Sequence, residues 1–253
     1  MKRFAFLGYG AACYVLFLIT FGCLAGFVGR IGVPKSIDGP PGAAAPAAAA
    51  IDGLLLALFA VQHSLMARPA FKRWWTRYLP TPVERSTYVL ASCLVTWLLI
   101  VGWQPIPFVI WDVHHPWGRK LVWALFAAGW LAVPLVSLMI HHGDLFGLRQ
   151  VWLYFSGRPY TPLPLKTPLA YRVVRHPLYL GWALAFWATP TMTAGHLLFA
   201  GVLTLYMGLA SVVEERDLAA HFGEAYVHYQ RRVPRFVPRL FSFRSVGAVR
   251  KAR

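Results

Sequence analysis

Arg175-His176-Pro177-Leu178-Tyr179-Leu180-Gly181 and Glu214-Glu215-Arg216-Asp217-Leu218 stand on either side of a mostly apolar stretch, residues 182–213. A third polar run, His221-Phe222-Gly223-Glu224-Ala225-Tyr226, follows directly. Charged side chains at membrane depth are costly and usually functional. The apolar stretch is long enough for a helical hairpin, and a hairpin returns its two polar ends to one membrane face. The spacing therefore predicts that Arg175 and His176 meet Glu214 and Glu215.

Working outward, the composition places the whole chain in a bilayer. Of 253 residues, 58% are hydrophobic and only 13% charged, and the mean hydropathy is +0.52. A soluble domain carries roughly 25% charged residues. Apolar segments run near Leu7–Val28, Asp52–Met66, Ser86–Trp103, Leu121–Ile140, Leu178–Thr189 and Leu197–Val213. A span needs about 20 apolar residues, fewer when its ends snorkel. The last two segments are short and are separated by the turn-rich Pro190–Gly195. The expected fold is an all-α integral membrane bundle of five to six transmembrane helices ending in a helical hairpin. It forms a single domain over residues 1–253: a membrane region to residue 140, a ligand-binding and catalytic region over 141–240, and a basic tail over 241–253. The first segment is longer than the apolar core of a signal peptide and lacks a clear small-residue cleavage site, so it is expected to remain as a helix.

The net charge of +16 raises the possibility of nucleic acid, but its distribution excludes that class. With six crossings and a cytoplasmic N-terminus, 21 of the 25 Lys and Arg fall on the cytoplasmic side. Arg30, Lys35, Arg119 and Lys120 are left on the other side. That is a positive-inside bias, and it accounts for the basicity through topology and attraction to anionic lipid. Both termini and both polar clusters are then cytoplasmic. Cys13, Cys23 and Cys93 lie inside apolar segments without paired spacing and read as small buried hydrophobes. Gly39–Ala50 (GPPGAAAPAAAA) reads as a non-cytoplasmic loop.

Each cluster carries specific chemistry. Pro177 fits the first turn of a helix, whose terminal N–H groups favour an anion. Arg175 adds a fixed fork of donors, Tyr179 a ring face and a hydroxyl, and Gly181 room for a close backbone approach. An interfacial anchor would use the same residues. Glu214, Glu215, Asp217 and Glu224 are four of only nine acidic residues. A carboxylate there can accept from ribose hydroxyls or pair with an amine. It can equally pair with Arg175, Arg216 or Arg231 across the hairpin. The adjacent pairs His114-His115 and His141-His142 do not form an i, i+4 chelating set, so no metal site is expected. The stretch from His142 to Gln150 reads as a polar break after the fourth span, tolerable where it lines a cavity. No Walker loop, GxGxxG, serine elbow or HExxH is present. Methyl transfer needs none of these, since positioning can carry much of its rate.

The run at Arg175–Gly181, the pair Glu214-Glu215, and Phe222–Tyr229 with Val233-Pro234 resemble the C-terminal half of the isoprenylcysteine carboxyl methyltransferases. Those are integral membrane enzymes that use S-adenosylmethionine. A closer likeness covers nearly the whole chain. Val33–Ser36, Phe59–Ser64, Ala67–Trp75, Glu84–Tyr88, Leu145–Tyr154 and Arg158–Pro164 resemble bacterial methanethiol S-methyltransferases, which make dimethyl sulfide. The resemblance implies an S-adenosylmethionine cofactor held at the cytoplasmic face of a bacterial inner membrane. Carried to matching positions, it implies Gln150, Tyr171, His176, Pro177, Tyr179, Glu214 and Glu215 as cofactor contacts. Leu163–Lys166 departs from the carboxyl methyltransferase pattern, which argues against a prenylated peptide. The expected substrate is a small thiol. His142 and His176 are candidate bases, with Arg175 the third candidate catalytic residue. Trp152, Tyr154, Trp182 and Phe186 are expected to line the thiol pocket. Methylation of a larger lipidic thiol or carboxylate, or a haem- or quinone-associated role without catalysis, remain the alternatives.

Overall fold

The computed structural model describes residues 1–238; the basic tail expected from residue 241 lies outside them. Five helices are long and apolar enough to cross a membrane. They are α1 (Lys2–Gly29), α2 (Ala45–Ala67), α4 (Glu84–Gly102), α5 (Pro116–Met139) and α10 (Ala194–Phe222), with α3 (Pro69–Trp75) following α2. Between α5 and α10 lie α6 (His142–Leu145), α7 (Leu148–Phe155), α8 (Ala170–Val173) and α9 (Pro177–Trp187), and α11 (Glu224–Arg232) comes last. Two short strands, β1 (Val109–Asp112) and β2 (Thr191–Thr193), pair antiparallel, with Val109 opposite Thr193 and Asp112 opposite Thr191. The chain is an integral membrane protein, as its composition predicts.

The chain passes six times between two ends. One end carries the start of α1, the turn into α3, α6 to α8, and the close of α10. The fifth crossing is composite. α9 has only 11 residues, about 16 Å at 1.5 Å per residue, against an apolar core of about 30 Å. Extended residues 188–193 complete the crossing. Backbone left irregular at this depth must find partners. Pro190 O accepts from Val113 N–H, Phe108 O from Ala194 N–H, and Ile106 O from Gly195 N–H. Trp111 Nε1 donates to Thr189 O at 3.2 Å.

Two expectations change. The low-complexity stretch is not loop throughout: α2 begins at Ala45, well before Asp52. Alanine is the best helix former, and Pro46 sits in the first turn, where its missing N–H costs nothing. The break after the fourth span is also narrower than expected. Left-handed backbone is confined to His141 (φ 94°) and Gly147 (φ 85°), with α6 between them.

The core lies toward the end of the bundle opposite the charged cluster, where Phe27, Leu56, Trp103, Phe199 and Ala185 are buried together. α5 and α9 approach unusually closely. A Cβ on Gly129 would lie 2.5 Å from Ala185 N, and one on Gly181 would lie 3.3 Å from Ala132 Cβ. Small residues at a membrane helix contact permit such approach, and it holds the start of α9 in place.

Candidate functional site

Glu215 is the centre of the charged cluster. It lies near the end of α10 and is 3% exposed. Arg175 grips it from just before α9, Nε to Oε1 at 2.7 Å and Nη2 to Oε2 at 3.1 Å. Arg235 grips it from the other side, Nη2 to Oε2 at 2.7 Å and Nε to Oε1 at 3.2 Å. His176 Nε2 lies 3.0 Å from Oε1, and Gln230 Nε2 donates to Oε2 at 3.2 Å. Paired forks of this kind are the strong form of ion pair. The segment after α11 is drawn in as well: Arg175 N–H donates to Pro234 O and His176 N–H to Arg235 O. The hairpin thus brings Arg175 to Glu215 as the apolar spacing predicts. Of the cationic partners considered from the sequence, Arg175 is the one used on Glu215, and Arg235 joins it.

Glu214, the next residue, is in a different position. Its side chain is 43% exposed. Oε2 accepts from Tyr179 Oη at 2.7 Å and lies 3.8 Å from His176 Nδ1, while Oε1 has no hydrogen bond among the described residues. The His176 and Tyr179 rings stack at 5.1 Å, fixing both on the first turn of α9, which Pro177 opens. Tyr171 is tied to this face through its carbonyl, which accepts from Tyr229 Oη at 2.6 Å. Burial, and next the charge of Glu214, hold the Tyr171 hydroxyl well above its ordinary pKa. Tyr171, His176, Pro177, Tyr179, Glu214 and Glu215 are therefore one constellation.

Gln150 belongs to a neighbouring cavity of about 600 Å³, which it lines with Lys72, Arg85, His141 and Asp144. Gln150 Nε2 donates to Asp144 O at 3.1 Å. Its buried Oε1, and the buried Nε2 of His141, have no partner among the described residues. Burial, then the charge of Arg85, lower the pKa of Lys72. This is a roomy polar space with unspent hydrogen-bonding capacity.

Deeper in the bundle are two apolar chambers of about 220 and 150 Å³. Trp182 borders both, and Tyr179 and Phe186 line the smaller. Arg85 and Leu145 border the polar cavity and the larger chamber alike, and Arg85 Nε donates to Leu145 O at 2.7 Å. Of the four aromatics expected around a thiol, Trp182 and Phe186 line the smaller chamber. Tyr154 borders the polar cavity instead, and Trp152 is 55% exposed on the outer face of α7. The short α7 turns its Val151 inward, which leaves Trp152 outside. Four chamber residues were not singled out from the sequence: His63, Tyr88 and Arg85 around the larger chamber, and Tyr206 on the smaller. His63, Arg85 and Tyr88 stand in runs that carry the family resemblance, Phe59–Ser64 and Glu84–Tyr88, but nothing in those runs marked them as chamber residues; Tyr206 carried no signal beyond a hydroxyl inside an apolar segment.

His142 stands apart from His176. Its Nε2 lies 2.7 Å from Tyr14 Oη and its Nδ1 2.8 Å from Ser137 Oγ, so both ring nitrogens are engaged. Burial lowers its pKa from the ordinary 6.5.

Comparison with known proteins identifies the family. The family model described as NnrU protein matches residues 53–244. The methanethiol S-methyltransferase of Mycobacterium tuberculosis is 50% identical over 94% of this chain and 98% of its own length. That of Crocosphaera subtropica is 49% identical over 94% of this chain and 93% of its own. A third, from Pseudomonas sp. strain GM41, is 48% identical over 94% and 91%. No solved structure matches the chain. With half its residues shared along almost the full length of these enzymes, the chain belongs to the NnrU protein family and, within it, to the methanethiol S-methyltransferases.

Proposed function

We propose that this protein methylates methanethiol with S-adenosylmethionine, giving dimethyl sulfide and S-adenosylhomocysteine. The observation that carries the reading is near-full-length identity to enzymes of that name. The geometry supports it. A polar cavity and an open carboxylate lie at one end of the bundle, and small apolar chambers lie directly behind them. Small apolar ligands suit enclosed apolar pockets with few polar groups.

The residues present fit the methyl donor. Glu214 offers a free carboxylate oxygen to hydroxyl or ammonium groups, Tyr171 and Tyr179 offer rings and hydroxyls, and Gln150 offers a buried acceptor without a partner. When bound, the donor supplies a methyl group activated by a sulfonium charge. Arg175, His176 and Glu215 act one step back. Their mutual bonds hold α9, α10 and residues 233–235 in register around Glu214 and Tyr179. Such support matters because a displacement of about 1 Å can cost on the order of 10²-fold in rate. The thiol takes the apolar chambers, whose aromatic walls exclude water and keep the nucleophile poorly solvated. Chambers of about 220 and 150 Å³ suit a thiol of one or two carbons and exclude a prenylcysteine. The polar end faces the cytoplasm, where the donor is made, in keeping with the positive-inside distribution of Lys and Arg.

The test is purified protein in detergent with methyl-labelled S-adenosylmethionine and either methanethiol or acetyl-farnesylcysteine. Labelled dimethyl sulfide in the headspace is expected. Label in the farnesylcysteine ester, with none in dimethyl sulfide, would overturn the thiol assignment.

A further inference from the structure

The wall shared by the two apolar chambers carries an ionisable group for which the constellation around Glu215 has no use. His63, on α2, borders both chambers. Its Nε2 lies 2.7 Å from Tyr88 Oη and its Nδ1 3.2 Å from Ser92 Oγ. Phe59 stacks on the ring at 5.2 Å. The hydrogen bonds fix the tautomer. Ser92 donates its own hydroxyl proton to Tyr88 O at 3.0 Å, so toward His63 its oxygen accepts. Nδ1 therefore carries the hydrogen, and Nε2 is the lone-pair acceptor of the Tyr88 hydroxyl. Tyr88 borders the larger chamber, and its hydroxyl oxygen keeps an acceptor lone pair for a further donor.

We propose that Tyr88 and His63 form the proton relay that converts the chamber-bound thiol into its thiolate, an inference that rests on the thiol-methylation reading. The thiolate is the competent nucleophile, and an alkyl thiol is a weak acid at neutral pH. The thiol S–H bond breaks toward Tyr88 Oη as the Tyr88 hydroxyl proton passes to His63 Nε2. The sulfur electron pair forms the new bond to the methyl carbon of a sulfonium donor. The broken carbon–sulfur bond leaves its pair on the departing thioether sulfur, and the proton returns to solvent as products leave. Tyr88 meets the thiol, and His63 acts through it. The charged and titratable groups facing this pair are Arg85, with its guanidinium 4.6 Å from the Tyr88 ring centre, Glu214, whose charge also reaches Tyr88, and Cys93, Tyr179 and Tyr206 along the chamber walls. Arg85 favours transient negative charge on the Tyr88 oxygen. It also opposes a lasting imidazolium at His63, so the proton does not stay.

The experiment compares wild type, Tyr88→Phe and His63→Gln with two thiols, methanethiol and the far more acidic trifluoroethanethiol, across pH. General-base contributions are typically 10²–10⁴-fold. Both variants should lose about hundredfold or more with methanethiol at neutral pH and regain rate as pH rises. With trifluoroethanethiol, compared on the alkaline side of neutrality where that thiol is ionised in solution, they should stay close to wild type. Tyr88→Phe keeps the ring and its packing, so it remains informative if His63→Gln does not fold. Histidine nitrogen NMR of donor-free protein gives a reading independent of turnover. His63 should show hydrogen on Nδ1, with an Nε2 signal that moves in Tyr88→Phe. Equal losses for both thiols, unchanged rates, or hydrogen on Nε2 would overturn the relay while leaving an active wild type as a thiol methyltransferase. A wild type inactive on both thiols would overturn the functional reading, and the relay with it.

Discussion

Glu215 and His142 both sit where an apolar helix meets the end of the bundle that carries the charged cluster, Glu215 buried and His142 half-buried, and both have their bonds filled by the chain itself. They are built differently. Glu215 is an anion held by two guanidinium forks, an imidazole and an amide. It ties α9, α10, α11 and residues 233–235 together across the hairpin. His142 is a ring between two hydroxyls, Tyr14 on α1 and Ser137 on α5, and it ties the first span to the fourth. The charged node is costly to disturb, because removing one member strands the others. The neutral node is more forgiving, since losing one of its hydroxyl partners strands no buried charge. Glu214 and Tyr179, the proposed ligand contacts, stand beside the rigid node.

The contrast is tested most strongly at Glu215. Glu215→Ala leaves Arg175 without its buried anion, and breaking a buried pair from one side costs about 3–5 kcal/mol. The thermal midpoint in detergent should fall sharply and methylation should be lost with it. A stable Glu215→Ala protein that binds donor normally would break the comparison. Next comes the neighbouring carboxylate. Glu214→Gln should leave the midpoint unchanged yet weaken S-adenosylmethionine binding in calorimetry. Loss of a charged hydrogen bond costs about 1.5–3 kcal/mol, or about ten- to a hundredfold in affinity. Equal stability losses at positions 214 and 215 would show that the division between ligand contact and support is wrong.

The smallest effect is expected at His142. Burial lowers its folded pKa below the ordinary 6.5, so below that value the unfolded chain takes up a proton that the folded one refuses. Its contribution to stability is full above about pH 6.5 and is lost as pH falls from there through the lowered folded value. His142→Gln should therefore flatten the acid side of a midpoint-against-pH curve and leave turnover at neutral pH nearly intact. A large loss of turnover with an unchanged acid limb would return His142 to the list of candidate bases.

The charged half of the site was legible because charge is rare in this chain. Arg175, His176, Glu214 and Glu215 stand out against an apolar hairpin, and hairpin geometry alone predicts that they meet. Arg235 was not legible, since the basic stretch after α11 offers several arginines and no pattern selects one. His63 was hidden for the opposite reason: it stands in the run Phe59–Ser64 that carries the family resemblance, but one histidine on an apolar helix reads as core, and the chambers and the bond to Tyr88 give it a role. Four of the five long helices followed from hydropathy, whereas α10, at 29 residues, runs well beyond the short segment Leu197–Val213 expected for it. The composite build of the fifth crossing was not visible, because strands of four and three residues carry too little periodicity to be seen, and their pairing joins segments far apart in the chain.

That composite crossing also has a consequence outside the protein. Leu180 and Trp187 of α9 are partly exposed on the bundle's flank, so lipid meets a helix there that ends halfway up. Above it the apolar surface is carried on by Phe108, Val109, Ile110 and Trp111, all exposed. On this flank the hydrocarbon therefore meets a helix along one half of its depth and a two-stranded ribbon along the other.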